Sequence, residues 1–145
     1  MIAKPTDSID VAKPATPDQP QPRLPVIYAC SGCSDAGELA DRAARMLARL
    51  KLGEMSCLAG VGGKVKSLLN KAQTAQEILV IDGCALNCAR HTLELAGITG
   101  FKHLELHRLG FRKGACPVTP ERIAAAVEAG SNLLLAERPG ESKCT

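Results

Sequence analysis

Glu77-Ile78-Leu79-Val80-Ile81, followed by Asp82-Gly83-Cys84, is the stretch that decides the fold of this 145-residue chain. Its continuous apolar run predicts a strand buried on both faces, as in a parallel sheet. Residues 86–96 then show helical spacing, and Gly97 ends that helix. A buried strand that leads through a short turn into a helix is half of a β-α-β unit.

The same alternation of strand and helix occurs on both sides of this stretch. Further strands are predicted at residues 26–29, 54–58 and 102–107, and further helices at residues 35–50, 64–74 and 120–137. Four such alternations predict an α/β fold: one three-layer Rossmann-like or flavodoxin-like domain with a mostly parallel sheet of about four strands. In flavodoxin-like order the first strand lies between the second and the third.

The domain is expected to occupy residues 25–137. Six of the nine prolines lie within the first 25 residues, which contain few large apolar side chains. Residues 1–24 are therefore predicted to be a disordered tail, and residues 138–145 a frayed end. Within the domain, Asp35 and Glu38 are predicted to form a capping box at the start of the first helix, where Glu38–Arg42 and Asp41–Arg45 form ion pairs.

Composition argues against several classes of partner. The formal charge is +3, aromatic residues make up 2%, and Trp is absent, so neither a basic stripe nor a stacking platform for nucleic acid is visible. No stretch reaches the roughly 18 apolar residues of a membrane helix, and the first 25 residues lack the apolar core of a signal peptide. We expect a cytoplasmic protein without nucleic-acid or membrane partners; the sequence identifies no protein partner.

Seven cysteines are the unusual feature of the composition. In a reducing cytoplasm they favour metal binding or thiol chemistry over disulfides. Five of them lie at the carboxyl ends of the first three predicted strands: Cys30 and Cys33 follow the first, Cys57 closes the second, and Cys84 and Cys88 follow the third. Since the carboxyl ends of parallel strands meet at one edge, these thiols are predicted to bind one metal ion there. Soft thiolates favour Zn²⁺, with an iron–sulfur cluster as the alternative.

The thiols also have other interpretations. Cys30-x-x-Cys33 and the helix start at Cys88 favour ionised sulfur, which suits either metal binding or a redox dithiol. Cys116 is expected to pack as a small apolar side chain, as cysteines often do. Cys144 is expected to lie in the C-terminal tail. A rival function is a cysteine-dependent enzyme that handles sulfur, selenium or another thiophilic species, so whether the protein is an enzyme stays open.

A glycine run follows the second predicted strand. The backbone amides of Gly60, Gly62 and Gly63 are candidates to hold a small anionic ligand, with a plain turn as the alternative. The run does not make a nucleotide-binding phosphate loop, because Leu58 and Val65 occupy positions that such a loop reserves for Gly and for Ser or Thr.

Two residues after the third strand are interpreted structurally. Asp82 can orient the amides at the start of the following helix or a basic neighbour, and Gly83 can supply the unusual backbone angles of a sharp turn.

Three blocks of sequence carry a resemblance to a known family. They are Tyr28-Ala29-Cys30-Ser31-Gly32-Cys33-Ser34, Met55-Ser56-Cys57-Leu58-Ala59-Gly60-Val61-Gly62-Gly63 and Ile81-Asp82-Gly83-Cys84-Ala85-Leu86-Asn87-Cys88. In their order and spacing, over residues 26–130, the chain resembles the DGC-domain family. The resemblance implies a zinc-binding domain with four chelating cysteines and leaves the biochemical role open.

Position by position, the resemblance implies the ligands Cys33, Cys57, Cys84 and Cys88, with Cys30 as a fifth thiol beside them. Ala85 stands where family members usually have Pro, which leaves the thiols in place. The sequence therefore predicts a zinc-binding protein. Its site could belong to a metal carrier or a metal sensor, or it could stabilise the fold.

Overall fold

The computed structural model describes residues 23–30 and 32–136 of the chain. The strands are β1 (Val26–Ala29), β2 (Glu54–Met55), β3 (Ile78–Asp82) and β4 (Lys102–Glu105). The helices are α1 (Asp35–Arg49), α2 (Leu58–Gly62), α3 (Lys66–Gln73), α4 (Cys88–Leu95) and α5 (Pro120–Leu135), with a 3₁₀ turn at Leu106–Leu109. No helix in the described part of the chain has the length and apolar character needed to cross a bilayer.

The four strands form one parallel sheet in the order β2-β1-β3-β4. Ile27 lies beside Met55 on one side of β1, and Ala29 lies beside Ile81 on the other. The predicted α/β fold with flavodoxin-like strand order is confirmed. The predicted tails lie outside the described residues, apart from residues 23 and 24.

The core lies on both faces of the central strands. Every residue of β1 and β3 is buried, as the apolar run of β3 predicts. Helices α1 and α5 pack against each other, whereas α2 packs against α3 and α4. Gly130 of α5 permits a close approach to α1, because a Cβ atom there would lie 2.8 Å from Leu47 Cδ1.

The start of α1 differs from the predicted capping box. The cap is Ser34, whose hydroxyl oxygen accepts the N–H of Gly37 at 3.1 Å. Asp35 instead accepts the N–H groups of Gly114 and Cys116, each at 2.8 Å, and these bonds lower the pKa of its carboxyl. The cap could not be assigned from spacing because the partners of Asp35 lie about 80 positions away along the chain.

Both predicted ion pairs on the outer face of α1 are present. Arg42 Nη2 lies 3.1 Å from Glu38 Oε1, and Arg45 Nε lies 2.8 Å from Asp41 Oδ2. Such exposed pairs contribute little to stability.

The segment after β2 is a helix, where a longer strand and a glycine loop were expected. Strand β2 ends at Met55, and residues Leu58–Gly62 form the short helix α2. Helix α3 begins two residues later than predicted, after Lys64 with φ +55°. Short apolar runs do not distinguish a strand from a helical turn by periodicity, which explains this error.

The last strand is shorter than predicted. Strand β4 ends at Glu105, and the chain then turns into the 3₁₀ segment, which contains His107. His107 therefore does not share a strand face with His103 and Glu105. Leu106 is fully buried in this turn. The apolar residue that suggested a longer strand therefore packs into the core from the 3₁₀ segment.

Candidate functional site at the carboxyl edge of the sheet

Three adjacent strands deliver cysteine-bearing segments to one edge of the sheet. Because β2, β1 and β3 are parallel neighbours, their carboxyl ends lie side by side. Cys30 directly follows β1, Cys57 lies two residues after β2, and Cys84 lies two residues after β3. The predicted placement of the thiol segments at one edge is confirmed; their role as metal ligands stays a prediction.

Cys30 joins the ends of β1 and β3. Its side chain is buried, and its sulfur accepts the N–H of Gly83 at 3.3 Å. Burial raises the pKa of the Cys30 thiol to about 11; the Gly83 N–H opposes this change, and the neighbouring acidic groups of Asp82, Cys84 and Cys88 add to it. The expectation that the Cys30-x-x-Cys33 pair favours ionised sulfur is wrong for Cys30 in the metal-free protein, because desolvation is the largest effect.

We expect Cys30 to resist alkylation by iodoacetamide at pH 7 in the metal-free, folded protein, while the exposed Cys57 and Cys88 react. With a pKa of about 11, about one Cys30 thiol in ten thousand is ionised at pH 7. Its reactivity should rise as the pH approaches 11. Peptide mass spectrometry after brief labelling measures each site, and labelling in denaturant is the control. Rapid labelling of native Cys30 would contradict this environment.

Cys57 lies at the start of α2. Its sulfur accepts the N–H of Gly60 at 3.4 Å and so caps the helix, although the side chain is exposed. Cys30 and Cys57 line one cavity of about 590 Å³, which also includes Ser56 and the Asp41–Arg45 pair. The Ser56 hydroxyl oxygen is buried and has no hydrogen-bond partner within the part of the chain that the structure describes. Cys30 and Cys57 thus border a space large enough for a small molecule.

The other candidate thiols are more accessible. Cys84 is half-buried, Cys88 is exposed at the first residue of α4, and Cys33 is exposed before α1. Among residues 23–30 and 32–136, no set of three or more His, Cys, Asp or Glu side chains is positioned to hold a metal ion. Thiolates are donors that suit Zn²⁺, and coordination would require these thiols to move closer together.

The two remaining cysteines are not among the candidate ligands. Cys116 is buried in the core, which confirms its predicted packing role. Cys144 lies outside the described residues.

Asp82 organises the start of α4. Its carboxylate, 1% exposed, accepts the N–H of Ala89 at 2.9 Å and that of Arg90 at 3.0 Å. Oδ2 also lies 3.0 Å from His103 Nε2. The helix has no side-chain cap of its own at Asn87, so Asp82 satisfies amides that would otherwise lack partners. The predicted structural role of Asp82 is confirmed.

Gly83 is required for a different reason from the one predicted. It is not among the glycines with positive φ, so no unusual backbone angle explains it. A Cβ atom at this position would collide with the carbonyl group of Ala36 and lie 2.8 Å from the N atom of Gly37. Gly83 therefore permits the turn after β3 to pack directly against the first turn of α1.

Two residues near this edge were missed by sequence reasoning. Asn87 adopts a left-handed conformation with φ +49°, and its Nδ2 donates to Glu105 Oε1 at 2.9 Å. His103 is the second of these residues, and its Nε2 lies 3.0 Å from Asp82 Oδ2. Asn tolerates the left-handed region better than most residues, which is a signal for Asn87. Nothing in the sequence indicated that His103 faces Asp82, because that contact depends on the pairing of β3 with β4.

The glycine run offers fewer free amides than a loop would. The N–H of Gly60 bonds to Cys57 sulfur, and the N–H of Gly63 bonds to the carbonyl oxygen of Ala59 at 2.8 Å. Gly62 closes α2. An anion-binding role for these glycines stays a prediction, and at Gly60 a Cβ atom would collide with Leu68 Cδ1, so the packing of α2 against α3 favours glycine there without a ligand.

Comparison with known proteins supplies the family. The model of the DGC domain matches residues 26–129. The chain is also 44% identical over 98 residues to the anaerobic and virulence modulator AnvM of Pseudomonas aeruginosa, an alignment that covers 68% of this chain and 72% of that protein. No solved structure matches the chain. The matched region contains all three cysteine-bearing blocks, and the chain belongs to the DGC-domain family.

Proposed function

We propose that this protein is a cytoplasmic regulatory protein that binds one zinc ion through thiolates at the carboxyl edge of its sheet. The observation that carries the proposal is that the segments after β1, β2 and β3 converge at this edge. The sulfur of Cys30, after β1, accepts a hydrogen bond from the N–H of Gly83, after β3. The similarity to a protein named a modulator supports a regulatory role over a purely structural one.

Backbone amides support the thiolate chemistry. Gly83 donates to Cys30 sulfur, and Gly60 donates to Cys57 sulfur. Hydrogen bonds to a thiolate stabilise its charge and orient it, as the outer contacts of metal ligands commonly do. Metal binding would also offset the desolvation that keeps Cys30 protonated, because a bound cation favours the thiolate.

The contacts favour a particular set of four ligands. Cys30 shares a cavity with Cys57, and its pKa is affected by Cys84 and Cys88. We therefore assign the ion to Cys30, Cys57, Cys84 and Cys88, whereas the family resemblance assigns Cys33 in place of Cys30. Because no metal-holding group is preformed among the described residues, binding should draw these thiols together and change the local structure, which suits a sensor or carrier.

The test is zinc content measured by elemental analysis after equilibration with Zn²⁺ and dialysis. We expect one equivalent per chain, four protected thiols, and a loss of affinity of at least about 100-fold in Cys84→Ser. Cys144→Ser is the matched control and should retain zinc. Less than one equivalent in every preparation, or equal retention by the two variants, would overturn the proposal.

A second comparison tests the ligand set. Cys30→Ser should lose zinc affinity to the same extent as Cys84→Ser, while Cys33→Ser should retain it within a few-fold. The reverse result would restore the set that the family resemblance implies.

A cysteine-dependent enzyme that handles a thiophilic small molecule is the second candidate. The cavity beside Cys57 favours it, since the buried Ser56 hydroxyl there lacks a partner among the described residues. A reactive Cys57 would be alkylated in zinc-treated protein, whereas a zinc-bound Cys57 would be protected. The labelling pattern after zinc treatment therefore separates the two candidates.

A further inference from the structure

Next to the cavity that Cys30 and Cys57 line, two adjoining cavities form a groove on the layer of α2, α3 and α4. Their volumes are about 490 and 920 Å³, and they share Lys64, Leu69 and Gln73. We call this surface the α3–α4 groove and define it by Lys64, Val65, Lys66, Leu69, Gln73 and Leu95. The shared lining makes it one continuous surface feature.

The groove exposes apolar side chains to water. Leu95, at the end of α4, is 89% exposed, and Val65, before α3, is 46% exposed. Leu69 lies between them and is only partly buried. Exposed apolar groups that cluster in a concave surface are typical of interaction sites, because a partner gains free energy by covering them.

The charges of the groove are of one sign. Lys64 and Lys66 line it, and no acidic side chain lines either cavity within the described residues. The nearby Lys71 is engaged elsewhere, with its Nζ 3.0 Å from Glu54 Oε2. An apolar groove flanked by unopposed lysines is complementary to an apolar segment flanked by carboxylates.

We propose that the α3–α4 groove docks an acidic amphipathic segment of a partner protein. The segment would place leucine-like side chains against Leu95, Val65 and Leu69, with Asp or Glu side chains toward Lys64 and Lys66. The N-terminal residues 1–22 of the chain itself are a poorer match, since they contain two Lys against three Asp and five Pro. A proline-rich segment cannot present apolar residues at helical spacing.

The docking proposal does not rest on zinc binding, so metal-free protein is used in its test. The groove adjoins the cavity beside Cys57, because Gly62 and Thr92 line both. A failure of docking would leave the zinc proposal standing, and a failure of zinc binding would leave docking standing.

The test is fluorescence anisotropy with a labelled helical peptide of about 15 residues, which carries Leu on one face and Glu on the other. A peptide with Lys in place of Glu is compared with it. We expect the acidic peptide to bind at least about tenfold more tightly than the basic peptide. Leu95→Ser and Lys66→Glu should each weaken binding about tenfold, as expected for a leucine or a close charge covered on binding.

Matched control variants lie outside the groove. Leu135→Ser replaces another leucine that is 72% exposed, and Lys113→Glu replaces another exposed lysine. Both should bind the acidic peptide within about twofold of the unmodified protein. The substituted side chains are exposed, so circular dichroism should show unchanged folding.

Four results would overturn the proposal. They are no binding of the acidic peptide, equal binding of the acidic and basic peptides, an affinity unaffected by Leu95→Ser, or an equal loss in the control variants. Binding of a labelled single-stranded oligonucleotide that Lys66→Glu abolishes would assign the groove to nucleic acid instead. Self-association that Leu95→Ser abolishes, measured by sedimentation, would assign it to a second copy of the chain.

Discussion

Replacing Gly83 by alanine should lower the free energy of unfolding by about 3 kcal/mol. The added methyl group would collide with the carbonyl group of Ala36 and lie 2.8 Å from the N atom of Gly37. These are backbone atoms of α1, which cannot rotate away as a flexible side chain can. The turn after β3 and the start of α1 must therefore separate, and denaturant unfolding measures the cost.

The same substitution should disturb the thiol edge. Gly83 donates to the buried sulfur of Cys30 at 3.3 Å, so a shift of this turn breaks the bond and opens access to Cys30. We expect faster alkylation of Cys30 in Gly83→Ala than in the unmodified protein. The matched control is Gly100→Ala, since a Cβ atom at Gly100 meets nothing within 4 Å. Equal stability of the two variants would contradict the close packing assigned to Gly83.

Replacing Asp82 by alanine should lower the free energy of unfolding by about 4 kcal/mol. The carboxylate accepts the N–H groups of Ala89 and Arg90 and contacts His103. Ala89 is fully buried, so its amide would lose its partner where water cannot replace it. The loss is large because hydrogen bonds to a charged acceptor are strong and the site is dry.

Asp82→Ala should destabilise the start of α4 before it destabilises the rest of the molecule. Hydrogen exchange measured by NMR should accelerate at the amides of Ala89 and Arg90 before the rest of the molecule is affected. Asp82→Asn keeps one acceptor oxygen and should cost about half as much, which provides a folded variant. Asp41→Ala, which removes an exposed ion pair with Arg45, should cost under about 1 kcal/mol. Similar losses at positions 82 and 41 would contradict the assigned cap.

Asp82 and Gly83, the first two residues of the Asp-Gly-Cys triplet after β3, each have a structural role. Asp82 holds the start of α4, and Gly83 allows contact with α1. Both actions fix the turn that carries Cys84, and both fix the position of Cys88 at the first residue of α4. The triplet thus positions two of the proposed zinc ligands by packing and hydrogen bonding.

Much of the candidate site could be predicted because it depends on local pattern. The apolar run of β3 indicates a buried strand, and parallel strands place their carboxyl ends at one edge, so the cysteine-bearing segments had to meet there. The boundaries after β2 and β4 could not be predicted in this way. Short apolar runs are compatible with a strand, a helical turn or a 3₁₀ turn, and packing decides among them.

By itself, the sequence determined the alternation of strands and helices, the edge where the cysteine-bearing segments lie, and the structural role of Asp82. These follow from periodicity and from residues near one another in the chain. Only the tertiary structure decided that Cys30 is buried and protonated, that Gly83 serves close packing, and that Leu95 borders a lysine-lined groove. Each of these properties depends on contacts between distant segments, because burial and steric room are set by whichever neighbours the fold brings together.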